Sequence, residues 1–244
     1  MSRGRLAEFV RTRRKALGMT QAQLARTTGW SKSSIEKVEA GRLVPSLEFV
    51  GALFDALAIA YLYRERIIAA LYPGTLTRIL GPSPSRPDAD AIADLEDLPY
   101  PAAYLTLPEG DVLGANSAWA ETFPGAEPTA NLLTWLFTEP LASEVLPTWE
   151  QLAHGFAYGL RVMGPISVPE TAITELVDRC SAHPDFERMW TTEPPDPVTA
   201  RPELPVASPA TGEIRTLRIK IDKPHFPFSS WVTYRLVPVR DGTR

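Results

Sequence analysis

Apolar positions in the first seventy residues recur at intervals of three and four, the spacing of one buried face of an α-helix. Gly18, Gly29 and Gly41 interrupt the pattern, and a serine or threonine that can cap a helix precedes several of the apolar runs. This stretch therefore predicts short helices. They run from Leu6 to Lys15, from Gln21 to Thr28, from Lys32 to Ala40, from Leu47 to Leu57 and over residues 60–72.

Beyond residue 100 the pattern includes segments in which apolar and polar residues alternate, as in half-buried β-strands. Residues 216–222 and 231–239 alternate in this way, and residues 102–107 and 111–115 predict a hairpin. Strands at both ends with helices between them indicate an α+β domain, one sheet with helices over one of its faces. The helices between the strands are predicted over residues 116–123, 131–137, 143–163, 169–182 and 184–191.

The distribution of proline divides the chain. Only Pro45 occurs within residues 4–72, whereas four prolines fall within residues 73–90, which is typical of an extended linker. A second proline-rich stretch, residues 193–209, is predicted to be a surface loop because strand-like segments follow it. The predicted organisation is a helical domain over 1–72, a linker over 73–91 and an α+β domain over 92–244.

The net charge of −4 hides two halves of opposite sign. Residues 1–72 contain twelve Lys and Arg against six Asp and Glu, and the remainder contains thirteen against twenty-three. A basic domain joined to an acidic one indicates a polyanionic partner for the first domain alone.

The segment between Gly18 and Gly41 has the spacing of two helices that cross closely. Ala25 is small enough for close contact, Gly29 can adopt a positive φ in a tight turn, and Ile35 and Val38 can enter the core from the second helix. The string LGMTQAQLARTTGWSKSSIEKVEAGRLVPSLEFVGALFDAL resembles the helix-turn-helix domains of the Cro and lambda-repressor (XRE) type over about residues 5–58. The resemblance implies an all-α, lambda-repressor-like fold.

The same resemblance implies that the helix Lys32–Ala40 enters the major groove of an operator in double-stranded DNA. Lys32, Ser33 and Lys37 would face base edges, and other polar residues would contact or approach phosphates. Glu36 has two possible roles, accepting from a cytosine amine or pairing with the neighbouring lysines. The candidate DNA-binding residues are Arg13, Arg14, Thr20, Gln21, Ser31, Lys32, Ser33, Ser34, Lys37 and Arg42. Proteins of this type read two half-sites, so a homodimer is expected.

A second resemblance covers about residues 95–240. Four segments resemble the ligand-binding domain of MmyB-like transcription regulators: YPAAYLTLPEGDVLGANSAWAETF, NLLTWLF, LPTWEQLA and HPDFERMW. Regulators of this family join an XRE-type domain to a PAS-like domain. This resemblance implies a cavity for a hydrophobic small-molecule effector, with fatty-acid-like ligands as the leading class. The candidate ligand-binding residues are Tyr104, Trp119, Asn131, Trp135, Phe137, Phe156, Arg161 and Trp190.

The roles of these candidates remain open at this point. Arg161, Tyr104 and Asn131, together with His154, could orient a carboxylate or hydroxyl group of a ligand. The aromatic residues could equally belong to an ordinary core, and the polar ones to the surface.

Other classes of function are not favoured by the sequence. Three histidines without metal-ligand spacing and one cysteine, Cys180, predict no metal site, and no nucleophile, phosphate-loop or dinucleotide motif indicates an enzyme or a bound cofactor. The chain lacks a secretory signal and an apolar run long enough to span a membrane, so a cytoplasmic location without membrane contact is expected.

Three functional hypotheses follow. The first is a homodimeric transcription factor that responds to a ligand. The second is a DNA-bound scaffold whose acidic domain binds another protein instead of a ligand. The third and least favoured is an enzyme fused to a DNA-binding domain.

Overall fold

The structure, a computed structural model, describes residues 3–71, 78, 81, 84–195, 202–223 and 229–239. The chain divides into two units: Met1–Gly81 with Val162–Pro169, and Pro82–Arg161 with Glu170–Arg244. The division at Gly81 falls within the predicted linker, much of which lies outside the described residues. The sequence did not predict that Val162–Pro169 belongs to the first unit.

The first unit contains the predicted helices. They are α1 (Arg3–Ala16), α2 (Gln21–Thr28), α3 (Lys32–Glu39), α4 (Leu47–Ala56) and α5 (Tyr61–Leu71). α3 packs against α1 and α2, and α2 also packs against α4. The core includes Leu24, Ile35 and Phe49, all fully buried, together with Met163 and Ile166 from the segment Val162–Pro169.

Local side chains determine where α2 and α3 begin. Thr20 accepts a hydrogen bond from the Gln23 backbone N–H, and the Gln23 side chain accepts one from the Thr20 N–H, which forms a capping box. Ser31 caps α3 by accepting from the Ser34 N–H. Between the two helices Gly29 has φ of 74°, the left-handed conformation that the sequence predicted for this turn.

The second unit is an α+β domain. Its helices are α6 (Ala89–Glu96), α7 (Ser117–Thr122), α8 (Leu132–Thr138), α9 (Leu141–Val145), α10 (Trp149–Ser167), α11 (Glu170–Cys180) and α12 (Phe186–Thr191), and the end of α10 is counted with the first unit. Its strands are β1 (Ala102–Leu105), β2 (Val112–Ala115), β3 (Glu203–Ala207), β4 (Ile214–Asp222) and β5 (Val232–Pro238). The antiparallel sheet has the order β2-β1-β5-β4-β3, and the predicted α+β, PAS-like fold class is confirmed.

Two predicted elements were wrong, and proline accounts for both. The single helix predicted over 143–163 is two helices, α9 and α10; Pro147 has no N–H, and Leu146 before it adopts an extended conformation. The predicted loop over 193–209 contains β3. Pro205 is tolerated there because β3 lies at the edge of the sheet, where a missing donor breaks no inner ladder.

Helices cover both faces of the sheet, which corrects the expectation of one covered face. α6 packs on the face that carries Ala102 and Tyr104, in a cluster with Leu95 and Trp231. The opposite face carries Tyr234, whose ring meets the Trp119 ring of α7 edge to face at 6.1 Å between centroids. We call this second face the α7 face. The helix α6 begins inside the predicted linker, which is why the sequence reading missed it.

Candidate DNA-binding helix and ligand-binding cleft

The helix α3 has one buried face and one exposed face. Ile35 and Val38 are buried in the first unit's core, whereas Lys32, Ser33 and Lys37 are exposed. The three residues predicted to face base edges therefore lie together on the exposed face. Their side chains can reach a ligand as large as a duplex without disturbing the core.

The two lysines on this face have different surroundings. The Lys32 ammonium lies 3.4 Å from a Glu36 carboxylate oxygen one helical turn away, and both side chains are well exposed. Of the two roles considered for Glu36, the structure shows the pairing with Lys32. Lys37 has no side-chain partner among the described residues, so its ammonium is available to an external acceptor.

Beneath the exposed face lies a buried ion pair that the sequence did not predict. Arg14 Nε donates to Glu39 Oε1 at 2.5 Å and Nη2 donates to Oε2 at 2.9 Å. Gln21 Nε2 donates to the same Oε2 at 2.8 Å, and Arg14 Nη1 donates to the Met19 carbonyl. Desolvation opposes ionisation of Glu39, but the hydrogen bonds from Arg14 and Gln21 outweigh it and hold the Glu39 pKa below its usual value.

Arg13 and Arg14, which were predicted to bind DNA, are buried in the first unit. Arg13 and Arg14 are 5% and 9% exposed, and Arg13 Nε donates to the Leu57 carbonyl. Gln21 is half-buried and bonded to Glu39. Contact of these three residues with phosphates stays a prediction that this geometry does not favour.

The remaining DNA candidates lie at the ends of the helices. Thr20 and Ser31 cap α2 and α3, and the hydroxyls of Ser31 and Ser34 lie 2.8 Å apart. Arg42 is exposed just beyond α3. Thr20, Ser31 and Ser34 lie at the N-terminal ends of α2 and α3, and their contact with DNA stays a prediction.

Two tryptophans predicted to bind a ligand are parts of the second unit's core. Trp119 and Trp135 are 1% and 4% exposed, and both pack against Phe123. Trp119 Nε1 donates to the Ala126 carbonyl at 2.7 Å, and Trp135 Nε1 donates to the Pro124 carbonyl at 2.9 Å. Their indole groups are therefore already satisfied by the protein.

Two polar candidates also have internal partners. Asn131 caps α8 through the Thr134 N–H, and its amide donates to the Glu109 carbonyl and to Asp111 Oδ1. The Tyr104 hydroxyl donates to the Ala91 carbonyl, and desolvation raises the pKa of Tyr104, with a smaller contribution from Asp94 and Asp88.

The other candidates lie around α10 and α12. Phe137 and Trp190 belong to one aromatic cluster with Trp149, His183 and Phe186, in which neighbouring ring centroids are 5.0 to 5.9 Å apart. Phe156 is half-buried. Arg161 donates to the Trp190 carbonyl at 2.6 Å and pairs with Glu193, while His154 lies 3.2 Å from the Thr192 carbonyl. Arg161 and His154 thus hold the end of α12 against α10.

The structure places a cleft elsewhere in the second unit, on the α7 face of the sheet. It encloses about 840 Å³ between α7, the turn that joins β3 to β4, and the residues that precede β1. The cleft is open to solvent, since eight of its fifteen lining residues, among them Glu121, Glu213 and Arg215, are exposed. None of the eight predicted ligand-binding residues lines it, and the sequence reading missed Arg215, which does.

Other chemistry has little support in the described part of the chain. There, no three His, Cys, Asp or Glu side chains come together to hold a metal ion. Cys180 is fully buried, and desolvation raises its pKa to about 11, which disfavours a reactive thiolate. Among the described helices, none is long and apolar enough to cross a membrane.

A helix-turn-helix unit that exposes Lys32 and Lys37 on α3, joined in the chain to an α+β domain, is the organisation expected of a DNA-binding transcription regulator with a ligand-sensing domain. Two family models match the chain: a helix-turn-helix domain over residues 5–60, and the MmyB-like transcription regulator ligand binding domain over residues 87–227. The second match covers more than half of the chain, which therefore belongs to the MmyB-like transcription regulators. No curated protein matches the chain.

Proposed function

We propose that this protein binds a specific operator as a homodimer in the cytoplasm and that its second unit senses a hydrophobic, fatty-acid-like small molecule. The observation that carries the DNA-binding part is the arrangement of α3. Its core face is fully buried, and its exposed face presents Lys32, Ser33 and Lys37 together.

The chemistry of this face suits the major groove. A lysine can donate to guanine O6 and N7, and a serine hydroxyl can donate or accept. Lys37 is the stronger candidate for base contact because Lys32 is already paired with Glu36. Arg42 supplies a charge for a phosphate, which contributes affinity that decreases as salt rises.

The homodimer follows from the way such helices bind DNA. One helix of this size covers part of one major groove, and two copies on a two-fold axis would read half-sites about 34 Å apart. The second unit then acts as the sensor. A ligand changes DNA binding only if it has unequal affinity for the DNA-competent and incompetent arrangements.

Selection of duplexes from a random library tests the DNA-binding part. The wild type should enrich a palindromic sequence, and Lys32→Ala with Lys37→Ala should lose binding to that sequence. Arg179→Ala with Lys220→Ala removes the same charge from exposed sites of the second unit and serves as the control. Equal affinity of wild type and the α3 variant for the selected operator would contradict the proposal.

Native mass spectrometry tests the ligand part. A dimer that carries extra mass, lost on denaturation, supports a bound small molecule, and its mass identifies the chemical class. A dimer without added mass, even after incubation with fatty acids, contradicts the sensing role and favours the scaffold whose acidic domain binds another protein.

A further inference from the structure

Trp30 is a large aromatic side chain that the first unit leaves partly in solvent. It lies between Gly29, at the end of α2, and Ser31, which caps α3, so it directly precedes the helix that presents the lysines. The side chain is 37% exposed, although burying it would stabilise the unit. A tryptophan that is partly exposed in this way suits a partner surface that has both apolar and polar groups.

The Trp30 ring is held in place by Phe49. The two rings are stacked, with their centroids 4.1 Å apart and their planes inclined by 8°. Phe49 is fully buried in the first turn of α4, and its backbone N–H donates to the Ser46 hydroxyl. Because the indole is already positioned before a partner binds, a contact that it makes loses little side-chain entropy.

The indole N–H of Trp30 has no acceptor among the described residues. By contrast, the indole N–H groups of Trp119, Trp135 and Trp149 donate to backbone carbonyls at 2.6 to 2.9 Å. An indole donates one hydrogen bond and accepts none. Trp30 therefore offers one fixed donor, next to α3, to an acceptor that approaches from outside.

The charge around Trp30 favours an anionic acceptor. Residues 21–35 contain two basic residues, Arg26 and Lys32, both exposed, and no acidic residue. In DNA the phosphate oxygens are acceptors along the whole backbone, and donors that contact them fix the position of the element that reads the bases. Since Trp30 precedes α3 and its ring is fixed by Phe49, a phosphate beside the groove is the acceptor that this donor fits.

We propose that the Trp30 indole donates a hydrogen bond to a DNA phosphate and thereby fixes the start of α3 in the major groove. The proposal rests on the proposed operator binding and adds a neutral side chain that positions the reading helix. Trp30 contributes affinity through the backbone of the DNA, whereas Lys37 contributes contacts to the bases.

The test combines two replacements of Trp30 with a scan of the phosphates in the selected operator. Trp30→Phe keeps an aromatic ring against Phe49 without the N–H, and benzothienylalanine at position 30 keeps the shape of the indole with sulfur in place of the N–H. Each full-length protein is titrated by fluorescence anisotropy against the operator and against operators in which one phosphate is replaced by a neutral methylphosphonate. Trp149→Phe is the matched control, because the Trp149 N–H donates to the Leu136 carbonyl within the second unit.

The affinity of the wild type should decrease about tenfold when one particular phosphate of a half-site is neutralised, the loss expected for one hydrogen bond to a charged group. Both Trp30 replacements should bind the unmodified operator about tenfold more weakly per half-site, and neutralising that phosphate should weaken them no further. Trp149→Phe should bind like the wild type and keep the sensitivity to that phosphate.

The outcomes separate this proposal from the proposed function. Wild-type affinity of both Trp30 replacements, or undiminished sensitivity to every phosphate that the wild type senses, would overturn the contact and leave operator binding intact. A selection that yields no operator would overturn both. Loss of affinity in Trp30→Phe but not in the benzothienylalanine protein would assign the effect to the ring instead of the N–H, and would also overturn the proposal.

Discussion

The buried pair between Arg14 and Glu39 gives the sharpest prediction about stability. Replacing Arg14 with Met removes two hydrogen bonds to the carboxylate and one to the Met19 carbonyl. The Glu39 side chain is 3% exposed and would keep the Gln21 amide as its remaining hydrogen-bond partner. Leaving a buried charge without its counter-ion typically costs about 3–5 kcal/mol. Because one hydrogen bond survives, we expect about 3 kcal/mol for this variant.

Two further variants control the interpretation. Glu36→Gln breaks the exposed pair with Lys32 in the same helix and should cost only about 0.3–0.5 kcal/mol. Replacing Arg14 with Met and Glu39 with Leu together removes both charges, so the double variant should be more stable than Arg14→Met alone.

Acid should weaken the same interaction. The pKa of Glu39 is lowered in the folded state, so its ionised form contributes stability above the unfolded pKa of about 4.3. That contribution is lost as pH falls through the lower folded pKa. Glu39→Gln, which cannot ionise, should lack this part of the acid dependence.

Hydrogen exchange followed by mass spectrometry is the appropriate assay, since two units need not unfold together. Peptides from α1 to α4 report the first unit separately. Exchange in Arg14→Met no faster than in Glu36→Gln would refute the assignment of Arg14 and Glu39 as a stabilising buried pair.

Three other predictions concern single positions. Gly29→Ala should destabilise the first unit by about 1 kcal/mol, because the φ of 74° at this position is unfavourable for alanine, although no atom lies within 4 Å of the added Cβ. Hydrogen exchange of the first unit measures this, and an unchanged exchange rate would contradict it. Trp135→Ala should cost about 3–5 kcal/mol in chemical denaturation, because Trp135 is part of the second unit's core; a small cost together with a lost ligand response would contradict this assignment. Cys180 should react with iodoacetamide at pH 8 only after unfolding, because burial raises its pKa to about 11; rapid reaction of the native protein would refute its burial.

Local signals in the sequence predicted the first unit well. The caps at Thr20 and Ser31 and the turn at Gly29 depend on residues within a few positions, and the structure shows them where the sequence placed them. The burial of Arg14 could not be predicted in the same way. Its partner Glu39 is 25 positions away, and an arginine beside other basic residues indicates a surface.

The cleft was missed for a similar reason. In the sequence Arg215 has the same parity along β4 as Leu217, Ile219 and Ile221, whereas Arg218 has the parity of the polar positions, but alternation alone does not show which residues of other elements lie beside Arg215. The difference arises from register, because β4 turns Arg215 towards Thr122, 93 positions earlier, and pairs Arg218 with Glu203 on β3. The aromatic residues predicted to bind a ligand were chosen by residue type, which does not separate a pocket wall from a core.

Coupling between DNA binding and ligand sensing is the central claim. It can be measured directly as the affinity of the protein for its selected operator with and without a saturating fatty acid such as decanoate. A ligand-sensing regulator should show operator dissociation constants that differ by about fivefold or more between the two conditions. The same dissociation constant in both conditions, with decanoate shown to be bound, would contradict the account.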